Sequence, residues 1–225
     1  MDGQFFPKQA IQFEGRGRKI STPISITYVA ETGSGSNLTT YTFAAASIGV
    51  ASADRVVIVA ACGSSGSART ISSVTIGGVK ANVAVTQGST TAAGGRVGLY
   101  YLAVPSGTTA DIVVTFSGSM GNCRIATFAM TGHASGAPAA TGADGSGTTT
   151  FNPNCNVVTG DVLICASLSD GTPCAWTNAT EQSDATNEIN LSTAKYTATS
   201  SETPRTITAV HTGGTFGCAV SAAWR

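Results

Sequence analysis

Apolar residues in this chain recur at every second position over short runs, and no stretch repeats them every 3.6 residues. That pattern predicts β-sheet throughout. Ile24, Ile26 and Tyr28 alternate with Ser25, Thr27 and Val29, and residues 40–43 repeat the alternation briefly. Residues 55–62 (RVVIVAAC) are almost continuously apolar, the mark of a strand covered on both faces. Val74, Thr75 and Ile76, then Gly77-Gly78, then Val79, Ala81, Val83 and Val85 read as a hairpin with Gly-Gly in its turn. Residues 97–104, 111–116 and 124–130 add strands, with Pro105-Ser106-Gly107 breaking between the first two. Many short strands separated by turn residues argue for an all-β antiparallel sandwich, of jelly-roll or immunoglobulin-like type.

The pattern repeats within the chain. Residues 101–123 align without a gap to residues 196–218 at an offset of 95, matching Tyr101 with Tyr196, Ile112 with Ile207, Gly118 with Gly213 and Cys123 with Cys218. Upstream, residues 53–57 resemble residues 160–164 at a different offset, and residues 41–43 resemble residues 149–151. The expected organisation is a duplicated sandwich over 21–225. Its related halves cover about 21–133 and 148–225, joined by a Gly/Ala/Thr-rich linker at 134–147. One compact, pseudo-symmetric sandwich is favoured over two small ones in tandem, because all-β units of this length often form a single domain.

Charge sets further bounds. The chain has 12 basic and 12 acidic residues, net zero, and charged residues make up only 11%. Binding nucleic acid by phosphate neutralisation needs a basic surplus that is absent overall. At 42% apolar the chain is not disordered through low hydrophobicity, and its glycines lack the three-residue period of collagen. The average conceals a division. Residues 1–20 hold Lys8, Arg16, Arg18 and Lys19, a third of the basic residues, beside Phe5, Phe6 and Phe13. This extended N-terminal arm reads as a docking segment laid on a partner subunit through Phe5, Phe6, Phe13, Arg16, Arg18 and Lys19. The alternative folds it back on its own domain.

No apolar run is long enough to span a bilayer. The first residues do not show a charged region followed by an apolar one, as a secretory signal would. A low-charge chain in which Ser and Thr make up about a quarter looks exposed outside cells. The two observations meet in a particle protein folded in a host cytoplasm and released by lysis, the alternative being a mature secreted chain. Cys62, Cys123, Cys155, Cys165, Cys174 and Cys218 are candidates for disulfides of undetermined pairing or, preferred at this low cysteine density, buried thiols. No C-x-x-C pair suggests a metal, and no cofactor is expected.

Chemistry is sparse. The only histidines are His133, expected in a turn, and His211, expected on a strand facing partial solvent, and no Ser sits in a G-x-S-x-G elbow. The segment 144–147 (DGSG) lacks the alternating acids of a calcium loop and reads as linker. Of two tryptophans, Trp224 ends an alternating strand and belongs in a core, while Trp176 is the better candidate for an exposed contact. No residue is assigned a catalytic role.

The runs 53–60 (ADRVVIVA), 71–79 (ISSVTIGGV) and 104–118 (VPSGTTADIVVTFSG) resemble structural proteins encoded by tailed bacteriophages and prophages. The resemblance covers residues 40–135 well and the second half in outline, on strand-and-turn patterns that carry no active-site residues. It implies a non-enzymatic virion protein on the particle exterior, a capsid decoration or head-fibre protein. Its expected partners are the major capsid protein or another virion subunit and further copies of itself, with no nucleic acid and no membrane. A tail, receptor-binding or carbohydrate-binding module, with a host-surface glycan as ligand, is the competing expectation.

Overall fold

The computed structural model describes residues 23–90, 94–187 and 189–225, so the expected arm with Phe5, Phe6, Phe13, Arg16, Arg18 and Lys19 lies outside the described residues. The first half carries nine strands: β1 (Ser25–Ser34), β2 (Leu38–Ser47), β3 (Val56–Ser64), β4 (Ile71–Ile76), β5 (Val79–Lys80), β6 (Asn82–Gly88), β7 (Arg96–Ala103), β8 (Thr109–Met120) and β9 (Asn122–Thr131). The second carries β10 (Ala140–Asp144), β11 (Thr150–Phe151), β12 (Cys155–Val157), β13 (Val162–Ser169), β14 (Cys174–Thr177), β15 (Thr180–Ala185), β16 (Asn190–Thr197), β17 (Glu202–Arg205), β18 (Thr208–His211) and β19 (Gly217–Trp224). All sheet pairings are antiparallel.

In the first half a sheet of order β1-β9-β3-β7-β6 faces a sheet of order β2-β8-β4-β5. The chain passes back and forth between the sheets, with β4–β5 and β6–β7 each staying within one, which interlocks two Greek keys into a jelly roll. The Gly77-Gly78 turn is present, with φ of 58° and 80°, the left-handed values a two-residue hairpin turn requires. After Lys80 the chain leaves this hairpin and crosses to the other sheet as β6.

The second half repeats this wiring. Its large sheet, β10-β19-β13-β16-β15, matches β1-β9-β3-β7-β6 strand for strand, and β11-β18-β14 matches β2-β8-β4, with β12-β17 as an added ribbon. Each half is therefore its own sandwich, and the expectation of one sandwich shared between them is corrected. In the second half β10, β11, β12 and β17 have only two to five residues each and few apolar side chains. The segment expected as linker is partly strand: β10 pairs with β19 from Ala140 opposite Ala223 to Asp144 opposite Ala219. Backbone hydrogen bonding sustains such an edge strand without an apolar stripe.

The offset of 95 is right for one strand pair and slips for two others. It places Phe116 of β8 and His211 of β18 in the same inward position. There Tyr41–Phe116 and Phe151–His211 form edge-to-face pairs, each with centroids 5.9 Å apart. Phe151 thus stands where Tyr41 does. Tyr101 and Tyr196 face different cores, as do Cys123 and Cys218. A slip of one residue turns a strand's side chains to the opposite face, so these matched letters are not equivalent positions.

The two large sheets pack on each other and share one core. From β3 come Val56, Ile58, Ala60 and Cys62, against Ile164, Ala166 and Leu168 of β13 and Val220, Ala222 and Trp224 of β19. The intervening residues Val57, Val59 and Ala61 turn inward to the first sandwich's own core. This double burial is why residues 55–62 are continuously apolar. β6 lies over β10 and β19 while β1 lies over β15, so the halves are related by a pseudo-twofold axis along the strands. Polar contacts rim the shared core. The Lys195 ammonium donates to the Ile26 carbonyl at 3.1 Å, and Thr90 N–H to the Gly145 carbonyl at 2.9 Å.

Candidate functional site

A cleft of about 460 Å³ lies at the side of the first jelly roll, between β1 and β2. Both strands lie at the edges of their sheets, bonded to β9 and β8 respectively. Each breaks register where it borders the cleft. β1 bulges between Tyr28 and Ala30, and β2 between Phe43 and Ala46. Bulges bend an edge strand and re-aim its side chains, which here opens the gap between the sheets.

Ala45 sits in the wider bulge with a φ of 49°, a left-handed conformation costing a non-glycine residue about 1 kcal/mol or more. The Asp111 carboxylate holds it there, accepting from Ala45 N–H at 2.8 Å. Phe43, Ile125 and Thr127 lie along the buried side of the cleft. The Thr127 hydroxyl is hydrogen-bonded to the Ala30 and Ser47 carbonyls, at 3.3 and 2.9 Å. Ala30, Thr32, Thr42, Ala44, Ala46 and Ser47 are also among the lining residues. The lining mixes alkyl and hydrogen-bonding groups and is uncharged apart from Glu31, which is ion-paired with Arg124.

Glu31, in the cleft lining, and Arg124 form a nearly buried ion pair at 3.3 Å, and Arg124 also donates to the Asn187 carbonyl of the other half. Burial pushes the Glu31 carboxyl upward, while the Ser183 hydroxyl and the Arg124 guanidinium draw it partly back. The pair is better placed to fix the two halves than to meet a ligand.

One arrangement looks catalytic in outline. His211 Nε2 lies 2.8 Å from Ser167 Oγ and its Nδ1 lies 3.1 Å from the Gly171 carbonyl. A carbonyl only accepts, so the neutral ring carries its proton on Nδ1 and Nε2 accepts from the serine. Ser167 and His211 are both buried, which corrects the expectation of a partly solvated His211. The third group is a carbonyl rather than a carboxylate, and burial outweighs the Asp184 and Asp170 charges that favour an imidazolium. Asp184 is committed elsewhere, accepting from Cys174 N–H and the Asn190 amide. The pair is a core polar contact.

Burial holds the His211 pKa below its ordinary 6.5. A folded-state pKa below the unfolded one contributes stability that is present above pH 6.5 and lost as pH falls through the folded value. Unfolding free energy should therefore decline as pH drops below about 6.5, before the carboxylates of Asp54, Asp144 and Asp170, all held low by hydrogen bonds, begin to titrate. His211→Gln should flatten that part of the profile in urea melts taken from pH 7.5 to 5. An equally steep profile in the variant would exclude His211 as the source.

The remaining candidates find structural places. All six cysteines are buried and free, and burial raises their thiol pKa values, to about 11 for Cys155 and about 12 for Cys174 and Cys218. His133 follows β9 in a bend, with Nε2 2.8 Å from the Asp54 carbonyl oxygen. Asp144 accepts from Ser146 N–H, Ser146 Oγ–H and Asn152 N–H, so the DGSG segment is a side-chain-braced turn. Trp176 lies on β14, half-buried, and its indole N–H donates to Ser192 Oγ at 2.7 Å. Among the described residues no cluster of three or more His, Cys, Asp or Glu could hold a metal, and no helix is long and apolar enough to cross a membrane.

The sequence reading missed the cleft. Its one trace was the run Ala44-Ala45-Ala46, where the alternation of β2 lapses. Compared with known proteins, the chain matches no family model, no curated protein and no solved structure.

Proposed function

We propose that this protein is a non-enzymatic structural component of a tailed-phage particle, carried on the exterior and anchored through residues 1–20 to the capsid or another virion subunit. The observation that carries the reading is the pair of jelly rolls fused back to back, with a hydroxyl-rich outer surface. Viral coat domains and lectins use this architecture. The runs that resemble phage structural proteins form β3, the β4–β5 hairpin and β8, the frame of the first jelly roll. The solvent-facing side of the β2-β8-β4 sheet is mostly hydroxyl, with Thr40, Thr42 and Thr75 beside Ser73 and Thr115. Such a surface is well hydrated and uncharged, suited to crowded display on a shell.

Anchoring would combine apolar burial of Phe5, Phe6 and Phe13 with pairing of Arg16, Arg18 and Lys19 to acids on the partner. Deleting residues 1–20 is expected to abolish incorporation into particles, read by mass spectrometry of purified virions, while leaving the melting temperature of the body unchanged. Undiminished incorporation would overturn the reading. The hydroxyl- and methyl-lined cleft favours one second reading, a receptor- or glycan-binding module. Binding of the isolated body to host polysaccharide, lost on filling the cleft, is the result that would support it.

A further inference from the structure

On the flank of the first jelly roll away from β1 and β2, the sheets end at β6 and at the start of β4, because β5 pairs only with Thr75 and Ile76. A hollow of about 200 Å³ lies between these edges, and Thr70, Thr86, Gln87 and Arg96 are among the residues lining it. Val97 and Leu99 of β7 face the shared core and Tyr100 the first sandwich's own, so Arg96, Gly98 and Tyr100 lie on the inner face. Opposite them on β6, Gly88 pairs with Arg96 and Thr86 with Gly98. We propose that Arg96 and Tyr100 bind a compact oxyanion, a phosphate or carboxylate group, in this hollow, with the Thr70 and Thr86 hydroxyls beside it. The site is separate from the cleft and independent of the particle reading.

Two glycines make room for the polar groups. A β-carbon added to Gly88 would collide with Arg96 Nη1, so the guanidinium lies directly over the β6 backbone. One added to Gly98 would fall 3.2 Å from the Tyr100 hydroxyl and 2.9 Å from Thr86 Cγ2. The Tyr100 ring therefore leans back along β7 toward Arg96, and its hydroxyl ends beside a residue that lines the hollow. Tyr100 is 1% exposed, and its hydroxyl has no hydrogen-bond partner among the described residues. Burial raises its pKa, so it stays protonated and able to donate. Arg96 Nε donates to the Arg69 carbonyl, while its two Nη nitrogens bond to no protein group among the described residues. Neither Arg96 nor Arg69, whose guanidinium lies over Gly118, pairs with an acid there. Two uncompensated positive charges at one corner draw an anion, and the arginine fork matches carboxylate and phosphate alike.

The second jelly roll fills the same place with its own side chains. Ala103 pairs with Val56 at the start of β3 and Thr197 with Val162 at the start of β13, so Ser192 stands where Gly98 does. The Trp176 indole donates to Ser192 Oγ at 2.7 Å, and Ser192 donates to the Ser183 carbonyl at 3.2 Å. Trp176 pairs with Ala209 as Val74 pairs with Val114, so valine takes the place of the indole in the first copy. Ala194 stands where Tyr100 does. The exchange of Trp, Ser and Ala for Val, Gly and Tyr turns a satisfied contact into a donor with no acceptor in the fold. The hollow is below the roughly 300 Å³ at which pockets for drug-sized ligands begin, so it suits a small head group.

The test titrates the full chain with inorganic phosphate, acetate and glucuronate at constant ionic strength, with chloride as the reference. Melting temperature and the heat of binding are the readouts. At least one of the three should raise the melting temperature above that in chloride, as a ligand held only by the folded chain does. A response to phosphate alone assigns a phosphate group, and a response to acetate or glucuronate assigns a carboxylate. Arg96→Gln should abolish the response. Tyr100→Phe keeps the ring and should weaken binding about tenfold or more, the loss of one hydrogen bond to a charged group. Lys80→Gln removes the same charge from an exposed position on β5 and should leave binding unchanged. The proposal is overturned if no probe exceeds chloride, or if Tyr100→Phe binds at full strength. An equal loss in Lys80→Gln also overturns it, because attraction to net charge would then account for the binding.

Discussion

Replacing Trp224 with alanine is expected to cost about 3–5 kcal/mol, the range for emptying a buried aromatic site. Trp224 is fully buried in the core shared by the two jelly rolls, opposite Val162 on β13, and its indole N–H donates to the Gly136 carbonyl at 3.1 Å. The substitution removes packing from the joint between the halves and leaves that carbonyl without its donor. Loss of stability should therefore come with loosened association of the halves, visible as faster amide exchange on both β3 and β13. Trp176→Ala is the control, because that ring is half-buried against the second sandwich's own core. If Trp224→Ala cost no more than Trp176→Ala in urea melts, the shared core would not be the main joint.

The second large effect is expected at Arg55. The residue is 1% exposed and its guanidinium donates to three loop carbonyls, Val104 at 2.7 Å, Gly49 at 2.7 Å and Ser106 at 2.8 Å. Arg55→Met keeps much of the volume but removes every donor. These carbonyls are only partly buried, so each left without its donor costs about 1 kcal/mol, the low end of the range, and a loss of about 3 kcal/mol follows. The loops at 48–54 and 104–108 should open first, giving earlier proteolytic cleavage there than in the rest of the body. A loss under about 1 kcal/mol would mean that water replaces the guanidinium at little cost. The corresponding place in the second half is taken by Asp161, which accepts from Val158 N–H at 3.0 Å and pairs with Arg225 at 3.1 Å. The same corner is thus tied by opposite charges in the two copies, and neither solution follows from the other by aligning letters.

The legible parts of the fold share one cause. β3, β7, β8 and β9 announce themselves because their side chains are sorted by burial, and the Gly77-Gly78 turn because its backbone needs φ values that glycine adopts freely. β10 was hidden because it is held by backbone hydrogen bonds to β19 rather than by an apolar stripe. The candidate site was hidden for a related reason. Its walls are alanine and threonine, ordinary strand residues, and what makes a cleft of them is a pair of bulges on strands that meet only in three dimensions. Ser167 and His211 are 44 residues apart, and a pairing at that distance leaves no local pattern to read.

Alternation, turn chemistry and the near-repeat of apolar runs determined, by sequence alone, that this protein is all-β, antiparallel and internally duplicated. These properties depend on which residues lie one or two positions apart, and the chain carries that information directly. Only the tertiary structure decided that each copy closes its own jelly roll, that the two stack through a common core about a pseudo-twofold axis, and that a cleft remains between β1 and β2. Those outcomes depend on which of two buried faces each strand turns toward. A shift of one residue reverses that choice while barely altering the alignment, as Cys123 and Cys218 demonstrate by facing different cores.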